Sequence, residues 1–161
     1  MFFEKFPITS RVWVYQCNTE LTPEQTHEIN EAFNIFLSGW ESHGQHIRGE
    51  GKVFYNRFIV IIADDSDDRL CGSAMDSSVR FIKSIEEAFN ISLMDRMKTA
   101  YRTSEGIRVV HMNDIPALFS NGEITENTIV FNNTITSKKE FLEKWEIPIK
   151  QSWHANLLQL A

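Results

Sequence analysis

The stretch Cys71–Ser78 puts one thiol, three serine hydroxyls and a carboxylate into a single short segment. It lies between the acidic residues Asp64, Asp65, Asp67 and Asp68 and a run in which Phe81, Ile82, Ile85, Ala88 and Phe89 recur at helical spacing. With Ser77 or Ser78 as N-cap, this is a loop opening into a helix, a junction that aims backbone N–H groups outward at the positive end of the helix dipole. Gly72, Ser73, Asp76, Ser77 and Ser78, with Arg80 one turn on and Arg57 from the polar break Tyr55-Asn56-Arg57, are therefore candidate ligands for a carboxylate or phosphate. The competing reading is ordinary capping, in which Asp76 fills the anion position from within.

The same segment offers nucleophiles. Cys71 or Ser73 could attack an acyl or similar centre, given a helix terminus to favour the thiolate and an imidazole from His43, His46, His111 or His154 as base. Against this stands the general tendency of free cysteines to be buried and inert. The four aspartates could hold a hard cation through oxygen ligands, but they lack the turn glycine and trailing glutamate of a calcium loop, and a solvated acidic loop is expected. His43 and His46 have a ligand-like spacing with no further ligands nearby, so neither a metal site nor a cofactor is expected. Trp153-His154 is either an aromatic lid over a pocket or a pin that fastens the tail.

These groups must be positioned by the elements around them. Arg11–Cys17, apolar on both alternating faces, predicts a central strand. Thr22, Pro23 and Gln25 form a capping-box start for a helix with Ile29, Ala32, Phe33, Phe36, Leu37 and Trp40 on one face, ending at His43-Gly44. Residues 45 to 63 hold either a short strand turning at Gly49–Gly51 into a long one, or a hairpin bent near Asn56-Arg57. The helix after Ser78 stops at Asn90.

Met97–Arg102 and Ile107–His111 predict a hairpin, and Asn113–Pro116 starts a short helix that Gly122 closes. Thr128–Asn132 reads as a strand. Ser137 and Glu140 open a last helix with Phe141, Leu142 and Trp145 inward and Pro148 as its stop. The order predicts an α+β protein: a mixed, mainly antiparallel sheet of five or six strands with helices packed on it, its first part following the ferredoxin-like strand-helix-strand-strand-helix-strand pattern.

A chain of 161 residues, 42% hydrophobic and with 12 Phe and 4 Trp, predicts a single domain over residues 1–161. A net charge of −6 argues against nucleic-acid partners and against anionic membranes. No apolar run reaches the roughly 18 residues of a membrane span, and two cysteines suit a reducing, cytoplasmic setting. Phosphate-loop, dinucleotide, serine-hydrolase and zincin motifs are all missing from the sequence.

The strings His43-Gly44-Gln45, Tyr55-Asn56-Arg57-Phe58-Ile59, Asp76-Ser77-Ser78-Val79-Arg80-Phe81-Ile82, Val130-Phe131-Asn132-Asn133 and Ser152-Trp153-His154 together resemble a family of short proteins from Bacteroidetes, many labelled "ABC transporter ATPase". The label implies a phosphate loop that this chain lacks. The family's loop reads Gly-Cys-Ser-Ile-Asp, whereas this chain has Gly72, Ser73, Ala74, Met75, Asp76, with its cysteine one place earlier, at 71. The expectation is a non-enzymatic cytoplasmic binding or interaction module for a small anionic ligand or a protein partner, with a homo-oligomer as one form of partnership. The alternative is a small enzyme acting on an anionic or acyl metabolite through Ser73 or Cys71.

Overall fold

The computed structural model describes residues 3–66 and 70–158. The chain is an α+β protein made of two compact units, Met1–Met94 with Thr136–Lys139, and Asp95–Ile135 with Glu140–Ala161. Among the described residues no helix is long and apolar enough to cross a membrane.

The first unit runs β1 (Arg11–Gln16), α1 (Pro23–Ser38), β2 (Glu41–Ser42), β3 (Gln45–His46), β4 (Gly49–Phe54), β5 (Phe58–Ala63) and α2 (Gly72–Phe89). Its main sheet has the order β1-β5-β4 with antiparallel neighbours, and β2 and β3 form a separate small hairpin. All six residues of β5 are buried, as an unbroken β-branched and apolar run demands when both faces are covered. The central strand is therefore β5. Arg11–Gln16, expected at the centre, pairs along its length only with β5 and is mostly half-buried; its outer edge meets the chain again at Ser137, and the Val12 N–H donates to the Thr136 carbonyl at 3.0 Å.

Helix α1 begins as its sequence requires. The Thr22 side chain accepts from the Gln25 N–H at 3.1 Å, the Gln25 side chain accepts from the Thr22 N–H at 2.9 Å, and Pro23 opens the first turn. Ile29 and Phe33 are buried against the sheet. Helix and sheet touch so closely that a Cβ on Gly51 of β4 would fall 2.4 Å from the Phe33 ring. One core joins Ile29, Phe33 and Trp40 to Ile59 and Ile61 of β5 and to Ala74, Ile82 and Ile85 of α2.

Strands β4 and β5 form a hairpin through Tyr55 and Asn56, both left-handed at φ +55°, with the Arg57 N–H donating to the Phe54 carbonyl at 3.0 Å. The loop is three residues long, Tyr55 to Arg57, between the paired Phe54 and Phe58. The order β1-β5-β4 matches the split strand-helix-strand of a ferredoxin-like sheet, but the next strand, β6, does not complete it and pairs elsewhere. Among the described residues three sheets take the place of the single sheet of five or six strands.

The second unit holds the antiparallel order β7-β6-β8-β9, from β6 (Lys98–Thr103), β7 (Gly106–His111), β8 (Ile129–Phe131) and β9 (Glu146–Pro148). Helices α3 (Ile115–Ser120), α4 (Lys138–Lys144, whose first two residues belong to the first unit) and α5 (Ala155–Leu158) accompany them. Its core gathers Tyr101, Ile115, Ile124, Val130 and Ile149. Phe141 stacks on Trp145 at 4.7 Å, but Leu142, expected inward, is 52% exposed. Helix α4 ends at Lys144, before Pro148, which lies in β9.

Candidate functional site

Helix α2 starts six residues before Ser78. Its first residue is Gly72 and its N-cap is Cys71, so Ser77 and Ser78 lie in its second turn. Their hydroxyls turn back onto the helix, Ser77 Oγ donating to the Ser73 carbonyl at 2.9 Å and Ser78 Oγ to the Met75 carbonyl at 2.7 Å, and Ser78 is buried. The expected capping by either serine is thereby corrected, and with it the idea that their N–H groups form the open end of the helix. Serine is a good capper and cysteine is not. The start is nevertheless fixed at Cys71 because tertiary contacts hold the first turn: Trp40 Nε1 donates to the Ala74 carbonyl at 3.0 Å.

The second such contact makes the site. After α1, the chain turns through the β2–β3 hairpin, with His43 at φ +52° and Gly44 at φ +76°. This tight turn places Ser42 inward, 3% exposed, against the beginning of α2. Ser42 Oγ donates to Cys71 Sγ at 2.9 Å, and Ser73 Oγ lies 3.0 Å from the same sulfur. Both hydroxyls, with the amides of Ala74 and Ser73, stabilise negative charge on the sulfur, and they lower the Cys71 thiol from 9.0 to about 6. The shift favours the thiolate at neutral pH. The group at the positive end of this 18-residue helix is the Cys71 sulfur, whose ionised form the helix end also favours.

The remaining sequence candidates are dispersed. Arg57 sits at the start of β5, while the chain reaches α2 from the other end of that strand, about 20 Å of extended chain away. Asp76 is exposed on the first turns of α2. Arg80 is exposed and its Nη2 donates to Ser77 Oγ at 3.2 Å, on a face of α2 shared with α1. His43 and His46 are exposed on the β2–β3 hairpin. His111 belongs to the second unit, where its Nδ1 accepts from the Asn113 N–H at 3.0 Å.

His154 is also in the second unit, 2% exposed, with Nδ1 2.6 Å from Ser152 Oγ and its ring stacked on Trp153 at 3.9 Å. Burial lowers its pKa from 6.5 to about 4. Of the pair, His154 is buried in its own unit, whereas Trp153 is 39% exposed. The side-chain partners of Cys71 are serine hydroxyls, and no imidazole is among them in the described residues. Asp64 is held near Arg48 at 3.6 Å and accepts from the Ser66 N–H at 3.0 Å, while Asp67 and Asp68 lie outside the described residues.

Ser42 was not among the sequence candidates. It is 29 residues from Cys71 and carries no local signal beyond its place before the His43-Gly44 turn. Comparison of the chain with protein-family models, with curated proteins and with solved structures finds no match.

Proposed function

We propose that this protein is a small binding module whose working group is the Cys71 thiolate, which captures a low-molecular-weight disulfide reversibly and without turnover. The observation that carries this reading is the pair of hydroxyl contacts to Cys71 Sγ, at 2.9 Å from Ser42 and 3.0 Å from Ser73, at the N-cap of α2.

In the exchange, the Cys71 sulfur attacks one sulfur of the disulfide. A new S–S bond forms, the old one breaks, and its electron pair leaves with the departing thiolate, which takes a proton from water. No oxidant other than the disulfide is consumed. A thiol ionising just below ambient pH is close to the optimum for this attack, since a lower pKa would reduce its nucleophilicity. Disulfide exchange also needs no general base once the sulfur is ionised, which suits a site whose side-chain partners are hydroxyls.

The anionic-ligand reading for Ser73–Ser78 is less well supported, because the thiolate already occupies the helix end. A free, ionised thiol fits a reducing compartment such as the cytoplasm. Kinship with the short Bacteroidetes proteins remains our proposal, and ATP hydrolysis is no part of it, since the chain has no phosphate loop.

The test is the pH dependence of alkylation by iodoacetamide, followed by intact and peptide mass spectrometry, together with incubation in oxidised glutathione. A midpoint near 6 at Cys71 and a single reversible glutathione adduct on that residue are expected. A midpoint in the ordinary thiol range, or an adduct that forms elsewhere, overturns the reading.

A further inference from the structure

Away from the thiol, the outer faces of α1 and α2 carry an apolar surface that the core does not use. Ile35 is 77% exposed. A lone exposed isoleucine needs no explanation. This one borders an open groove between the two helices, lined by Ala32, Ile35, Phe36, Ser77, Arg80 and Phe81, whose floor is the stacked pair Phe36–Phe81 at 4.5 Å and 14°. Ridge and recess thus share one face, the requirement for a surface that pairs with itself about a two-fold axis.

Charge decides what fits there. Helix α1 carries Glu24, Glu28 and Glu31 and no lysine or arginine, whereas the charged residue lining the groove is Arg80; the acids of α2, Asp76, Glu86 and Glu87, are not among the lining residues. Among the described residues the Arg80 guanidinium has Ser77 Oγ as its partner and no carboxylate. The groove therefore suits a cation-free helix that presents an aliphatic side chain one turn after a carboxylate. Glu31 and Ile35 of α1 are such a pair, four residues apart on one helical face.

We propose that this face binds a second copy of the chain, with α1 of each protomer lying along the groove of its partner, Ile35 set against Phe36 and Phe81 and Glu31 facing Arg80. The arrangement is independent of the thiol chemistry.

The experiment is sedimentation velocity and light scattering on the full chain across a concentration series, with circular dichroism to check that each variant folds. The wild type is expected to be a dimer in reversible exchange with monomer. Ile35→Glu, at a solvent-facing position that leaves the core untouched, is expected to be folded and monomeric. Arg80→Glu and Glu31→Arg should each weaken dimerisation about tenfold, and the double swap should restore it. A wild type that stays monomeric at about 0.5 mM, a dimer that survives Ile35→Glu, or a charge swap that restores nothing overturns the proposal.

Discussion

The chain holds two cysteines in one unit and treats them in opposite ways. Cys17, just past the end of β1, is fully buried in the main core, with only long contacts of 3.8 Å to Asn18 and 3.9 Å to Thr19. Cys71 caps a long helix, is partly exposed, and receives hydroxyl contacts of 2.9 and 3.0 Å. The same functional group is packing material in one place and, in the other, a thiol at a helix end whose ionisation is favoured. Access and hydrogen bonds to sulfur make that difference.

The sharpest way to break this contrast is to exchange which thiol remains. Cys71→Ser should abolish alkylation at neutral pH and the glutathione adduct altogether, while Cys17→Ser should leave both intact. Peptide mapping after brief labelling reads the outcome.

A second effect comes from the core. Cys17 can react only when the surrounding structure opens, so its labelling rate follows stability. Gly51→Ala forces a methyl against the Phe33 ring at 2.4 Å and should cost about 1–3 kcal/mol. Cys17 should then label about 5- to 150-fold faster under native conditions, with little change at Cys71.

Ser42→Ala removes the first of the hydroxyl contacts. It should raise the Cys71 midpoint by about one pH unit, as read from alkylation rates, and leave Cys17 unaffected.

The remaining effect is on stability against pH. The folded Cys71 thiol ionises near 6 and the unfolded one near 9.0, so between those values the folded chain holds fewer protons. Relative to Cys71→Ser, wild-type stability should rise with pH across that window and lose the advantage as pH falls through about 6. His154 imposes a separate slope at lower pH. Because burial lowers it from 6.5 to about 4, its contribution should fade as pH drops from 6.5 towards 4. Melting temperatures of wild type, Cys71→Ser and His154→Gln against pH separate the two.

Local chemistry was legible in the sequence where it was self-contained. The capping box at Thr22–Gln25 is present in both its bonds, and Asn90 ends α2 in the left-handed conformation. The hairpin predicted between Met97 and His111 matches β6 and β7 to within a residue. What failed depended on partners distant in the chain. Val12, Trp13, Val14 and Tyr15 read as a central strand because both faces are apolar, yet strand order is decided by pairing, and β5 took the middle. Ser77 and Ser78 read as caps because their side chains suit the role, but Trp40 and Ser42, both more than 25 residues away, anchor the first turn at Cys71. Only one half of the candidate site, Cys71 with Ser73, was visible in the sequence. Its other half is Ser42.

The outer edge of β1 has a consequence for how this protein is made. Its neighbour there is the segment around Thr136 and Ser137, and Lys138 Nζ donates to the carbonyls of Phe3 and Phe6 at 2.8 Å each. During synthesis the first 94 residues emerge long before that cover arrives, leaving an unpaired sheet border and a loose leading segment in the meantime. A ribosome paused between Met94 and Thr136 would hold out a nascent chain with an adhesive flank, and relief comes only with translation of Thr136 and Ser137.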